Sequence, residues 1–233
     1  MCEAVVKKSE RVYFTFGRFQ PPTTGHGLLI QTLAERAAGI GADAYVFVSS
    51  RCNDLSKYVK SKKYKDIQKT STFESCDSNE NPLRVDQKIH YLEKMFSSFA
   101  SVTFVNTTEC ECPQLFQIVH LLKDSGYTDI HMLVGADRVE TFSRVLASEG
   151  ILVEGIDRPL GAISGTKMRI AAVRGNIDTL RAGTMMGEMT EADVLQLQQD
   201  ILTGLAMKGG SRRYRIRNKT QCRRRYRLRS DEK

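Results

Sequence analysis

At 233 residues, with 41% hydrophobic and 27% charged side chains, the chain is sized for one or two globular domains. No apolar run approaches the roughly 20 residues that cross a bilayer, and the opening MCEAVVKKSE lacks the apolar core of a signal peptide. No membrane partner is therefore expected, and a cytoplasmic setting with reduced thiols is. The formal charge of +8 is a misleading average: residues 211–233 carry eleven Lys or Arg against two acids, +9, which leaves −1 for the other 210 residues. The six cysteines form no C-x-x-C framework. Cys110 and Cys112 are the one close pair, too few ligands for zinc, and read as a loop with two free thiols; no protein metal site is expected.

From residue 11 short β-rich runs alternate with helical patterns. The strand candidates are Val12–Phe16, Ala44–Ser49, Val102–Val105, Ile130–Val134 and Ile151–Val153. Helical patterns fall between them at 25–38, 84–99, 113–125 and 137–148. In the second, Val85, Ile89, Leu92, Phe96 and Phe99 follow the spacing of one buried face. Pro113 suits the first position of the third helix, and Gly126 its stop. Strands apolar on both faces, alternating with helices, predict an α/β fold whose parallel sheet is covered on both sides. Ligands then bind beyond the carboxyl ends of the strands.

Residues 50–80 interrupt this pattern with a Lys-rich run followed by a polar one. They read either as a solvated insertion or as a lid whose Lys57, Lys60, Lys62, Lys63 or Lys65 touches a triphosphate. A last helix is expected over 190–207, with Thr190 as its N-cap and Val194, Leu197, Ile201 and Leu205 as its apolar stripe. It either packs on the sheet domain or makes a subunit contact in a homo-oligomer. The chain thus divides into a domain at 1–188, a terminal helix at 189–210 and a basic tail at 211–233. In the tail RRYRIR at 212–217 recurs as RRYRLR at 224–229. Arginine interleaved with tyrosine suits phosphate contact plus base stacking, so nucleic acid is one partner to consider. A nuclear-import signal has the same composition.

The stretch GRFQPPTTGH, residues 17–26, leaves the first strand and enters the first helix. Gly17 relaxes the turn, and Pro21 with Pro22 keeps the loop extended. Thr24, Gly25 and His26 fall where unpartnered N–H groups and the positive dipole end of a helix attract anions. His26 and the Thr23 hydroxyl add side-chain donors. A second such place is ISGTKMR, residues 163–169, where Ser164, the Gly165 amide and Thr166 open a helix and Arg169 adds a positive fork. Neither stretch has the Gly-Lys-Ser/Thr of a P-loop or the G-x-G-x-x-G of a dinucleotide fold. His90, His120 and His131 lie within helix or strand patterns and read as structural.

The two stretches resemble, in order, the signatures of the nucleotidyltransferase superfamily that shares its HIGH motif with class I aminoacyl-tRNA synthetases. His26 matches the second histidine of G-x-F-x-P-x-[HT]-x-G-H, and Thr23 stands at the first His/Thr position. Gly17-Arg18-Phe19-Gln20-Pro21, Ser164-Gly165-Thr166 and Asn81-Pro82-Leu83 are most similar to archaeal-type nicotinamide mononucleotide (NMN) adenylyltransferases and their phage and giant-virus relatives. Gly135 and Asp137 resemble the G-x-D segment that faces base and ribose. The resemblance spans residues 11–183 and implies a Rossmann-like three-layer fold with a five-stranded parallel sheet, followed here by the terminal helix and basic tail. It implies transfer of a nucleotidyl group from ATP to a phosphorylated acceptor, with Mg²⁺ held mainly by substrate oxygens. His26, Thr23 and Arg169 would serve the chemistry. Gly17, Arg18, Phe19, Gly25, Gly135, Asp137, Ser164, Gly165 and Thr166 would bind nucleotide, and Asn81 the acceptor. NMN is the first acceptor to consider. A cytidylyltransferase, another adenylyltransferase, and a retired catalytic fold that only binds remain alternatives. The insertion, the tail and Thr23 depart from the family pattern.

Overall fold

In the computed structural model the described residues are 2–50, 81–157 and 161–206. The insertion beyond Ser50, with its lysines, and the tail 211–233 lie outside them. Five strands, β1 (Arg11–Gly17), β2 (Asp43–Val48), β3 (Val102–Asn106), β4 (Asp129–Gly135) and β5 (Leu152–Ile156), form one sheet in the order β3-β2-β1-β4-β5. Every neighbouring pair is parallel. The helices are α1 (Gly27–Ile40), α2 (Val85–Met95), α3 (Leu115–Asp124), α4 (Val139–Val145), α5 (Gly165–Arg174), α6 (Ile177–Thr184) and α7 (Glu191–Ala206).

Strand side chains alternate between two apolar layers, as the period of two requires. Tyr13, Ala44, Val46, Val48 and Leu133 meet α1, α2, α5, α6 and α7 on one face. Val12, Phe14, Tyr45, Phe47, Met132 and Val134 meet Ile118, Val119 and Leu122 of α3 and the N-terminal Val5 on the other. The fold is therefore three layers, helix–sheet–helix, as expected.

Several boundaries differ from the sequence reading. Pro113 lies before α3, whose N-cap is Gln114. The pattern at 137–148 resolves into a short α4 between single 3₁₀ turns at Ala136–Arg138 and Ala147–Glu149. α2 stops at Met95, so Phe96 and Phe99 pack from beyond its end. α6 is an element the pattern did not announce.

Thr190 does cap α7: the Thr190 N–H donates to Asp193 Oδ2 at 2.9 Å and the Asp193 N–H to Thr190 Oγ1 at 3.2 Å. Val194, Leu197, Ile201 and Leu205 are buried, each contributing roughly 1.5–3 kcal/mol. Tyr91 donates to Asp200 at 2.8 Å, and Gly204 lies so close to Pro82 that a Cβ would sit 1.8 Å from its carbonyl oxygen. The terminal helix is thus seated on the segment that starts α2. Among the described residues no helix is long and apolar enough to cross a membrane.

The cysteine loop departs from expectation. Cys110 is bonded to Cys2, 108 residues earlier, with the Cα atoms 4.7 Å apart. The partner comes from the N-terminal segment, which local spacing cannot reveal. Cys112 is free and buried, and burial pushes its thiol pKa up to about 11.

Candidate active site

Pairing between β1 and β4 is recorded only as far as Phe14↔Met132, whereas β1–β2 continues to Gly17↔Val48 and β4–β5 to Gly135↔Ile156. The two central strands therefore part toward their carboxyl ends. This is also where strand order reverses, the place where open α/β sheets bind ligands.

The loop 17–26 fills the β1 side of that cleft. Gly17 is close-packed: a Cβ there would meet the Phe19 ring at 2.7 Å. Phe19 takes a left-handed φ of 47°, which tucks its ring into the core. The ring then lies 4.9 Å from the His26 imidazole, centroid to centroid. His26 closes a 3₁₀ turn, Thr24–His26, and α1 begins only at Gly27, two residues later than the sequence pattern suggests. The Thr23 N–H donates to His26 Nδ1 at 3.0 Å, so the neutral ring must carry its proton on Nε2. Histidine is thus held as an Nε2–H donor.

The second stretch packs directly onto the first. Thr23 is fully buried, and its hydroxyl donates to the Ile163 carbonyl at 2.8 Å. The Arg169 guanidinium, 3% exposed, donates to the Gln20 carbonyl and, at 3.1 Å, to Thr166 Oγ1. Two glycines permit the approach. A Cβ on Gly25 would lie 2.6 Å from the Ile163 carbonyl oxygen, and one on Gly165 would lie 2.6 Å from that of Gln20. Ser164 caps α5, its hydroxyl oxygen accepting the Lys167 N–H at 3.2 Å. The first amides of α5 and the His26 turn therefore lie side by side, although 140 residues separate Thr23 from Ile163. The arrangement gathers helix-terminal amides, an imidazole N–H and a fixed guanidinium, groups whose chemistry suits anions.

The other expected residues lie on neighbouring segments. Gly135 ends β4 across the cleft, and Asp137 is exposed in the next turn, 3.9 Å from Arg138 Nε. Arg18 is exposed beside the buried Phe19. Asn81 precedes Pro82 and Leu83, and Leu83 is tied to the loop by Gln20. The Gln20 amide donates to the Leu83 carbonyl at 2.8 Å, and its oxygen accepts the Leu83 N–H at 2.9 Å. Gln20 is thus a hub that the sequence reading quoted within a motif but gave no role. Lys88 belongs to neither stretch. It stands three residues after Val85 and four before Leu92, on the apolar stripe of α2, and a lysine there is a readable signal. It is fully buried, and its Nζ donates to the Ser49 carbonyl.

His131 lies apart, buried between Asp129 at 2.8 Å and Glu154 at 3.0 Å, which pair in turn with Arg11 and Arg36. His120 is on the surface, 3.8 Å from Glu149. Among the described residues no group of three His, Cys, Asp or Glu side chains is placed to hold a metal ion.

No protein-family model matches the sequence, and no curated protein matches it. Among solved structures, the chain is similar to a protein from Vibrio parahaemolyticus that carries the provisional name nicotinate-nucleotide adenylyltransferase. The identity is 15% and the TM-score 0.50, over 83% of this chain and 99% of that one. It is also similar to NadR protein in complex with NR, at 17% identity and TM-score 0.39, over 76% of this chain and 46% of that one. The first likeness shows a shared three-layer fold. The second is too low in TM-score to add to it.

Proposed function

We propose that the chain is a nucleotidyltransferase that moves the adenylyl group of ATP to a phosphorylated acceptor, NMN first among them, and releases pyrophosphate. One observation carries the reading. Two helix-terminal phosphate stretches, far apart in sequence, interlock at the cleft between β1 and β4 through Thr23–Ile163 and Arg169–Gln20. The similar solved structure is of a protein provisionally named for the same class of reaction.

In this reading a phosphate oxygen of the acceptor attacks the α-phosphorus in line. A new P–O bond forms as the bond to the β-phosphate oxygen breaks, and pyrophosphate leaves with that electron pair. No protein nucleophile is needed, and rate comes from positioning and charge stabilisation. His26 Nε2–H donates to oxygen at the α/β-phosphates. Ser164, the amides of Gly165 and Thr166, and Arg169 receive the pyrophosphate. Thr23 acts by holding the two stretches together and His26 in its tautomer. Gly17, Phe19 and Gly25 shape the loop, Arg18 contacts phosphate from its rim, and Gly135 with Asp137 flanks base and ribose. Asn81 faces the acceptor. Mg²⁺ enters with ATP as part of the substrate, bound mostly by phosphate oxygens and water. The Arg-rich tail supplies a separate polyanion contact.

The test is a pyrophosphate-release screen of ATP and CTP, with Mg²⁺, against a panel of phosphorylated acceptors. ATP with NMN should release pyrophosphate and yield NAD⁺. Turnover with CTP alone would reassign the chain as a cytidylyltransferase. ATP binding without turnover on any acceptor would mark a retired fold.

A further inference from the structure

We infer that Lys88 is a positioning residue for the acceptor's phosphate, the counterpart on the β2 side of Arg169 on the α5 side. The inference rests on the nucleotidyltransferase reading and deepens it. Lys88 is wholly buried, on the inward stripe of α2 where a leucine would cost nothing in desolvation. Its Nζ donates to the carbonyl of Ser49, the residue after β2. The Ser49 N–H donates at 2.9 Å to the carbonyl of Gly17, the first residue of the motif loop. Thr107, also fully buried, donates to the Val48 carbonyl at 2.9 Å and accepts the Ser50 N–H at 3.1 Å. The end of β2 is therefore fixed from both sides at the carboxyl edge of the sheet.

The helix bearing Lys88 is itself tied to the motif loop. It starts two residues after Leu83, whose N–H and carbonyl are both held by the Gln20 side chain. The Gln20 carbonyl takes the Arg169 guanidinium. Two buried cations are thus linked to the loop, one through Gln20 and the other through Ser49. Arg169 stands with the amides of α5, where pyrophosphate departs. Lys88 stands at the end of β2, and the inference puts the arriving acceptor phosphate on that flank. In this low-dielectric setting an ammonium acts over several ångströms without touching its target. Lys88 orders the Ser49 carbonyl, so that the Ser49–Ser50 backbone is set, and adds positive potential at the end of β2.

The experiment compares wild type with Lys88→Met, Lys88→Gln and Lys88→Arg. Glutamine keeps a donor for Ser49 but removes the charge. Lys88→Met should raise the KM for NMN about 10- to 100-fold while the KM for ATP stays within about twofold. Lys88→Gln should show most of that loss, and Lys88→Arg should recover most of it. A merely structural lysine would lower the melting temperature and shift both KM values together, and that result overturns the inference. Should wild type release no pyrophosphate with any acceptor, the function proposed above fails on its own. Lys88 is then judged by calorimetry without ATP, titrating NMN and inorganic phosphate into wild type and the glutamine and arginine variants. Binding lost in Lys88→Gln and kept in Lys88→Arg supports the inference. Equal binding in all three, or none in wild type, overturns it.

Discussion

His26, Thr23 and Arg169 came from the same kind of sequence argument, yet the structure gives them different surroundings and so different expected phenotypes. His26 is partly exposed and its Nδ1 is engaged, which leaves Nε2–H as the donor. Replacing it with alanine should lower kcat by about 10²–10³-fold with a melting temperature near wild type. A protein that unfolds instead would make His26 structural. Thr23 is buried, and its hydroxyl goes to Ile163. Thr23→Val leaves that carbonyl without its donor and should cost about 1–3 kcal/mol in urea unfolding, whereas Thr23→Ser should stay close to wild type. Arg169 is expected to combine both roles. Because its guanidinium is buried on Gln20 and Thr166, Arg169→Ala should lose stability together with turnover. An Arg169→Ala protein as stable as wild type would remove the Gln20 bond from the account. The motifs point to all three residues, but only the fold shows that Thr23 and Arg169 are buried while His26 is partly exposed.

At the scale of elements, the five strands and the stripe of α7 were legible because burial writes an apolar period into the chain. α6 was not, since its eight residues, IDTLRAGT, carry only Ile177 and Leu180 as large apolar side chains, too short a stripe to stand out. The seat of α7 on Pro82, at Gly204, and the Cys2–Cys110 bond were illegible for another reason: both are contacts between segments far apart in sequence. Lys88 could have been read, as a cation on an apolar face. The cap of α7 also has a pH signature. Burial acts to raise the Asp193 pKa, but the Lys94 ammonium at 2.6 Å and the Thr190 hydroxyl and amide outweigh it, lowering the value to about 2. A depressed carboxylate stabilises the fold above its unfolded pKa of 3.8 and loses that contribution as pH falls toward 2. Asp193→Asn should therefore cost on the order of 1–2 kcal/mol at pH 7. The gap to wild type in urea midpoints should narrow between pH 4 and pH 2. A gap that is constant with pH would assign the loss to packing instead.

At the scale of the whole molecule, charge and chemistry should be separable. Both phosphate stretches and the seated α7 lie before residue 207, while the surplus charge lies after it. Truncation after Gly210 should leave the KM for ATP and for NMN nearly intact, because the truncated chain sums to −1 and keeps every group assigned to substrate. The full-length protein should bind DNA or RNA without sequence preference. If about six of the ten Lys and Arg between 211 and 230 neutralise phosphates, log K on duplex DNA should fall with log salt at a slope of roughly −5. Tyr214→Ala with Tyr226→Ala should weaken single-strand binding more than duplex binding, since stacking needs exposed bases. Loss of turnover on truncation would bring the arginines into the phosphate site. If the full-length protein shows no salt-dependent retention on nucleic acid, the tail's arginines serve a protein partner or an import receptor, because polyelectrolyte binding by so many cations cannot be silent at low salt.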